Sequence, residues 1–184
     1  MDLGLKDKII IVTGGSKGIG NGMCNLLKEE GAIPVIVGRN HQNIFHAIKA
    51  IHVKNQRASY AFVKLTNHEQ CKNAVERVIK EFVKIDGLVN NAGVNDSVGL
   101  VSGNYDSFME SIKTNLVHYY LMGHYALPEL KKSNGAIVNM GSETSMIGQG
   151  RTSGYAASNA GRNALIREWV VELLPYIMVN TAQC

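Results

Sequence analysis

Cysteine is scarce and poorly placed for structural chemistry. Cys24, Cys71 and Cys184 are odd in number, widely spaced and form no CxxC pair, which argues against both a disulfide framework and a zinc site. His118 and His124 do not share a helix face as i, i+4 ligands would, and no HExxH occurs, so no metal is expected. Charge of one sign is also lacking. The formal net charge is +4 and the densest basic cluster is Lys131-Lys132, so no stripe suits a nucleic-acid backbone. The longest purely apolar runs, such as Ile9-Ile10-Ile11-Val12, are far too short to cross a bilayer, and the stretch Met1-Asp2-Leu3-Gly4-Leu5-Lys6 has no apolar run of the signal-peptide kind. No Pro/Ser-rich linker or internal repeat divides the chain. These absences leave one domain over 1–184, expected in a reducing cytoplasm without nucleic-acid or membrane partners. At 45% hydrophobic residues, it is large enough to bury a core.

What is present is an alternation of short β-branched runs with longer helical patterns. Strands are expected at 8–13, 33–37, 60–64, 87–90, 136–140 and 177–180, and helices near 19–30, 42–53, 68–82, 105–131 and 155–174. That order is the mark of an α/β fold whose parallel strands are buried on both faces and joined by crossover helices. Gly31, Gly38, Gly87 and Gly135 fall where a helix stops or a strand turns, positions where positive φ is often needed. Met109, Met122 and the tyrosines between Tyr119 and Tyr125 are read as helix packing or a subunit interface, and Cys24 as a small buried hydrophobe.

The clearest motif is Thr13-Gly14-Gly15-Ser16-Lys17-Gly18-Ile19-Gly20, which follows the first strand and opens the first helix. Glycines let a backbone approach phosphates closely, and a helix N-terminus offers free N–H groups and partial positive charge. Gly14, Ser16, Lys17, Gly18, Ile19 and Gly20 are therefore candidate pyrophosphate contacts. The spacing TGxxxGxG resembles that of the short-chain dehydrogenase/reductase family, and the resemblance continues along the chain. Asn90-Asn91-Ala92-Gly93 is similar to the family's NNAG element, which implies that Asn91, Ala92 and Gly93 steady the sheet and lie against the cofactor. Asn115, Ser142 and Tyr155 match three members of its catalytic tetrad, with Tyr155 thirteen residues beyond Ser142. The resemblance implies a Rossmann-type, doubly wound parallel sheet in three layers.

The chemistry implied is hydride exchange with NADP or NAD. Tyr155 would exchange the substrate hydroxyl proton, Ser142 would hold the oxygen, and Asn115 would support a water or backbone contact behind the tyrosine. Two departures from the family pattern stand out. Four residues after Tyr155 the family has a lysine that holds the nicotinamide ribose and favours the tyrosine's anionic form, whereas this chain has Asn159. A unit charge about 6 Å away is worth ~3 kcal/mol at an effective dielectric of about 20. Asn159 can bond a ribose but supplies no charge, so turnover is expected to be weak and Asn159→Lys to raise it near neutral pH. The second departure is that Val179-Asn180-Thr181 resembles the start of the sixth strand and only Ala182-Gln183-Cys184 follows. The family's lid and last strand are therefore expected to be missing from this sequence.

After the second strand the chain reads Val37-Gly38-Arg39-Asn40, with no acid to reject a 2′-phosphate. Arg39 and Lys17 can reach one, which favours NADP over NAD. Leu65 stands where an aspartate often meets adenine, leaving packing and backbone groups for that task. Segments 91–96, 115–120 and 148–150 resemble the sugar-oxidising branch typified by L-fucose dehydrogenase, and Asn95, Asp96, Glu143 and Gln149 are candidate polar contacts to a polyol. The rivals are a 3-oxoacyl-thioester or steroid-type carbonyl reductase, which would share the tetrad, and a cofactor-binding protein without turnover. The helices at 105–131 and 155–174 carry more apolar surface than a sheet face needs, and the family resemblance implies a homodimer or homotetramer built on them.

Overall fold

The computed structural model describes residues 2–52 and 57–184. Among the described residues six strands, β1 (Ile9–Thr13), β2 (Ile33–Gly38), β3 (Ser59–Phe62), β4 (Gly87–Asn90), β5 (Ala136–Gly141) and β6 (Met178–Gln183), form one sheet in the order β3-β2-β1-β4-β5-β6. Every pairing is parallel. β1 is Ile-Ile-Ile-Val-Thr and buried throughout, as expected of a central strand packed on both faces. The expected α/β doubly wound architecture is thus found.

Side chains of alternating parity feed two cores. Ile9 and Ile11 point with Leu88, Ile137, Met122, Leu130 and Trp169 into the layer beneath α3 (His68–Phe82), α5 (His118–Ser133) and α6 (Ser153–Leu173). Ile10 and Val12 point the other way, to Cys24, Ile36, Ile44 and Ile51 beneath α1 (Gly18–Glu29) and α2 (His41–His52). Cys24 is the small buried hydrophobe expected of it, its thiol pushed up to about 12 by burial. Met122 and Tyr119 are likewise fully buried.

Several expected boundaries shift, each for a local reason. The expected helix at 42–53 is observed as His41–His52, and its last position, Val53, lies outside the described residues. β3 was expected to reach Lys64 and stops at Phe62, because the Lys64 N–H is taken by the Gln70 side chain at 2.7 Å instead of a ladder carbonyl. The single helix expected at 105–131 is three pieces: α4 (Tyr105–Ile112), a π-helical turn at Lys113–Val117, and α5. Such a turn inserts one residue into the helical repeat and is common at functional sites. Of the four punctuating glycines, only Gly31 has positive φ, +80°. Gly135 is instead required by close approach, since a Cβ there would lie 2.6 Å from the Asp86 carbonyl oxygen.

The chain runs outward from β1 to β3 on one side, then crosses to β4 and runs outward to β6 on the other. The switch point between β1 and β4 opens a crevice at the C-terminal ends of the strands, where such sheets bind ligands.

Candidate active site

The glycine loop between β1 and α1 is held from below by the segment after β4. The Asn91 side chain donates to the Thr13 carbonyl at 2.9 Å, and the Thr13 hydroxyl accepts from the Asn91 and Ala92 N–H groups at 2.9 and 3.1 Å. Gly14, at φ +68°, and Gly20 close over that junction: a Cβ on Gly20 would lie 2.5 Å from both Asn91 Nδ2 and the Gly14 carbonyl oxygen. Gly18, also at positive φ (+54°), has open space where a Cβ would be. Lys17, Gly18 and Ile19 are exposed on the outer wall of the loop and Ser16 is half-buried. Asn90 works inside the sheet, donating to Asn139 Oδ1 at 2.9 Å and to the Tyr119 carbonyl at 3.2 Å.

The π-helical turn places Asn115 at zero exposure, where its Oδ1 accepts from the Val94 N–H at 2.8 Å and so fixes the chain just beyond Gly93. Ser142 stands at the end of β5, and among the described residues its hydroxyl has only a long contact, 3.5 Å, from the Thr144 N–H. Tyr155, in the first turn of α6, is half-buried. Asn159 and Arg162, four and seven residues further on, lie on the same face of that helix.

The Asn159 amide is engaged within the protein at both ends. It is fully buried, its Nδ2 donates to the Tyr155 carbonyl at 2.8 Å, and its Oδ1 accepts from Arg162 Nη1 at 2.8 Å. Arg162, absent from the motif-derived residues, is itself buried. Its Nε donates to the Asn115 carbonyl at 2.6 Å, Nη1 donates to the Met140 carbonyl at 3.0 Å, and the guanidinium lies 4.1 Å above the Tyr119 ring. Burial pushes this guanidinium down from its ordinary range, while Tyr119, Tyr155 and Cys184 pull it back up. The signal that could have exposed Arg162 is its spacing: a lone basic residue on the helix face that also carries Tyr155 and Asn159.

These elements enclose a cavity of about 600 Å³ that runs from the glycine loop past Arg39 and Leu65 to Gly93, Tyr155 and Arg162. Arg39 and Lys17 stand exposed at the loop end, and among the described residues neither has an ion-pair partner. Of the expected polyol contacts, the structure brings two together: Asn95 Nδ2 donates to Gln149 Oε1 at 3.2 Å on the exposed rim. Glu143 is exposed in the short 3-10 turn after Ser142 (Glu143–Ser145), and Asp96 is exposed beside Asn95.

Residues 8–184 match the family model described as short chain dehydrogenase. The chain is 33% identical over 174 residues to the 3-oxoacyl-(acyl-carrier-protein) reductase of Chlamydia pneumoniae, covering 94% of this chain and 70% of that relative. It is 31% identical over 188 residues to the sorbitol-6-phosphate 2-dehydrogenase of Klebsiella pneumoniae, covering 95% and 66%. The crystal structure of Cj0485 dehydrogenase superposes with a TM-score of 0.91 at 37% identity, covering 98% of this chain and 69% of that one.

Proposed function

Because the chain belongs to the short-chain dehydrogenase family and is an NAD(P)-dependent oxidoreductase of alcohol or carbonyl groups, we propose that its substrate is a sugar or similar polyol, that Tyr155 exchanges the substrate proton, and that NADP is the preferred cofactor. The observation that carries this reading is one cavity joining the glycine loop, Arg39 and Tyr155. Its volume is in the range of small-molecule sites. The loop also fits a dinucleotide, with Gly14 and Gly20 packed so closely that any side chain would push α1 away from the phosphates.

In this reading Gly14, Ser16, Lys17, Gly18, Ile19 and Gly20 receive the pyrophosphate at the N-terminus of α1. Arg39 and Lys17 meet the 2′-phosphate, since Gly38 offers no carboxylate to repel it. Leu65 packs on the adenine, and Asn91, Ala92 and Gly93 line the ribose side. The bound nicotinamide supplies two-electron redox chemistry. Tyr155 holds the transferred proton at its phenolic oxygen. Ser142 donates its hydroxyl hydrogen to the substrate oxygen, which the weak Thr144 contact leaves it able to do. Asn115 acts as a positioning residue through Val94, and Asn95, Glu143 and Gln149 bond the further hydroxyls of a polyol.

The named polyol phosphate dehydrogenase among the relatives supports a sugar substrate. L-Fucose remains the first compound to test, although none of the relatives named above is a fucose dehydrogenase. The 33% identity to a 3-oxoacyl reductase favours, as a second reading, a 3-oxoacyl thioester or steroid-type ketone. Cofactor absorbance followed with a panel of aldoses, polyols and 3-oxoacyl thioesters separates them. Turnover of thioesters with none of the polyols overturns the first reading, and NADPH binding without any turnover leaves only a nucleotide-binding protein.

A further inference from the structure

A charge inside a protein keeps its reach only where no opposite charge neutralises it and no solvent screens it. Arg162 meets both conditions. It is 3% exposed, and among the described residues it forms no ion pair with a carboxylate. Its Nε and Nη1 donate to uncharged acceptors, the Asn115 and Met140 carbonyls and Asn159 Oδ1, and its Nη2 has no hydrogen-bond partner. That nitrogen lies 3.1 Å from where a Cβ on Gly93 would be, and Gly93 and Arg162 both line the cavity. Bonds to neutral groups hold the guanidinium in place without cancelling its charge.

The neighbours leave that charge standing. His118, beside Tyr119, is pushed down to about 3, by burial first and by Arg162 second, and is neutral at working pH. Tyr119, whose ring carries the guanidinium at 4.1 Å, is pushed up to about 12, by burial before all else, and stays a neutral phenol. Of the other charged residues on the cavity wall, Lys17, Arg39 and Lys64 are positive and exposed, and Glu110 is an exposed carboxylate open to screening by water. Among the described residues Arg162 is thus the one buried charge on this wall. It belongs to the part formed by Gly93 and by the face of α6 that carries Tyr155.

We propose that Arg162 makes this cavity select the redox state of its nicotinamide cofactor, holding the reduced form more tightly than the oxidised one. The inference rests on the reading of Tyr155 as the proton-transfer residue, which puts the nicotinamide ring at the Tyr155 end of the cavity. The oxidised ring carries a positive charge and the reduced ring carries none, while phosphates and riboses are the same in both. A fixed cation in that part of the wall therefore repels only the oxidised form. Through protein of effective dielectric about 20, two unit charges change a binding constant about tenfold even at roughly 12 Å, so the effect needs no direct contact. In a mixed pool the chain fills with the hydride donor, and its working direction is reduction of a sugar carbonyl to the polyol. The carbonyl carbon accepts the hydride, the carbonyl oxygen takes the proton held by Tyr155, and the oxidised product is the form that Arg162 repels.

The test compares affinities rather than rates. NADPH and NADP+ are titrated into the whole chain by calorimetry, with NADH and NAD+ alongside so that the outcome does not depend on the 2′-phosphate assignment, and with 2′,5′-ADP as a probe that lacks the nicotinamide. Wild type is expected to bind a reduced form about tenfold or more tighter than its oxidised partner. Equal affinities, or tighter binding of the oxidised form, overturn the proposal without any variant. Arg162→Gln removes the charge, and Asn159→Asp keeps the arginine but sets a carboxylate on the Nη1 that Asn159 already binds. Either variant should bring the two affinities within about threefold of each other and change that for 2′,5′-ADP by no more than about twofold. Damage to packing alone would weaken both forms alike and keep their ratio. A folded variant of either kind that keeps the wild-type ratio overturns the assignment, and the aspartate form decides the matter if the glutamine form does not fold. Failure of the functional reading looks different: wild type then binds neither form of either dinucleotide, and the inference falls with it.

Discussion

Gly20 and Gly22 sit two residues apart on α1, and the same substitution is expected to act on them with opposite sign. A Cβ on Gly20 would stand 2.5 Å from the Gly14 carbonyl oxygen, which is backbone, and 2.5 Å from Asn91 Nδ2, which is tied to the Thr13 carbonyl. Neither neighbour can swing aside, so relief requires α1 to retreat by roughly 1 Å to reach ordinary contact. Overpacking of this kind costs about 1–3 kcal/mol, and each kcal/mol lowers the melting temperature by about 2–4 °C in a chain of this size. Gly20→Ala is therefore expected to melt roughly 3–10 °C below wild type. It should also bind NADPH about tenfold or more weakly, because the retreating helix carries the phosphate-facing N–H groups with it. Gly22 has nothing within 4 Å of its would-be Cβ, and alanine there should stabilise α1 by about 0.5–1 kcal/mol through helix propensity alone. Thermal unfolding and NADPH fluorescence titration of the two variants decide the matter. If Gly20→Ala melts and binds like wild type, the close approach is not what seats the cofactor.

Arg39→Asp should reverse the cofactor preference, and side-by-side titrations showing wild type preferring NAD tenfold or more, ~1.4 kcal/mol, would refute the 2′-phosphate assignment. Asn159→Lys would set an ammonium against the buried Arg162 guanidinium that Asn159 now binds, so the variant is expected to melt below wild type in thermal unfolding, and an unchanged melting temperature would refute that reading of the contact. Tyr105, Tyr120 and Val171 lie exposed on α4, α5 and α6, and light scattering should report a dimer or tetramer that Tyr120→Glu and Val171→Glu weaken. Burial pushes the Asp86 carboxyl up, but the Ile9 N–H and the Lys8 and Lys84 ammonium groups outweigh it and leave it below its usual range. Its stabilisation is thus complete above ~4 and lost as pH falls through the folded-state value, so denaturant melts should show Asp86→Asn costing about 2 kcal/mol at pH 7 and much less in strong acid.

Much of the fold is legible because the central strands are short β-branched runs buried on both faces, and such runs have few other places to go. Ile9 to Thr13 needs no alternation to be recognised once the helical patterns on either side are seen. What escapes is any decision made by a single hydrogen bond. The end of β3 depends on where one Gln70 side chain goes. The π-helical turn is invisible for a related reason: its extra residue breaks no apolar stripe, and only the inward turn of Asn115 and its bond to the Val94 N–H reveal what it is for.

The site divides along the same line. The glycine loop is legible because its spacing is a backbone requirement, and the glycines at 14, 18 and 20 announce it by lacking side chains. Charge is not bound to spacing in that way. Arg162 brings a guanidinium to the neighbouring turn of the same helix, which position 159 read alone does not reveal. Asn159 binds that guanidinium at 2.8 Å. An ammonium at 159 would now crowd a charge already present, and an asparagine is short enough to admit that guanidinium and polar enough to hold it.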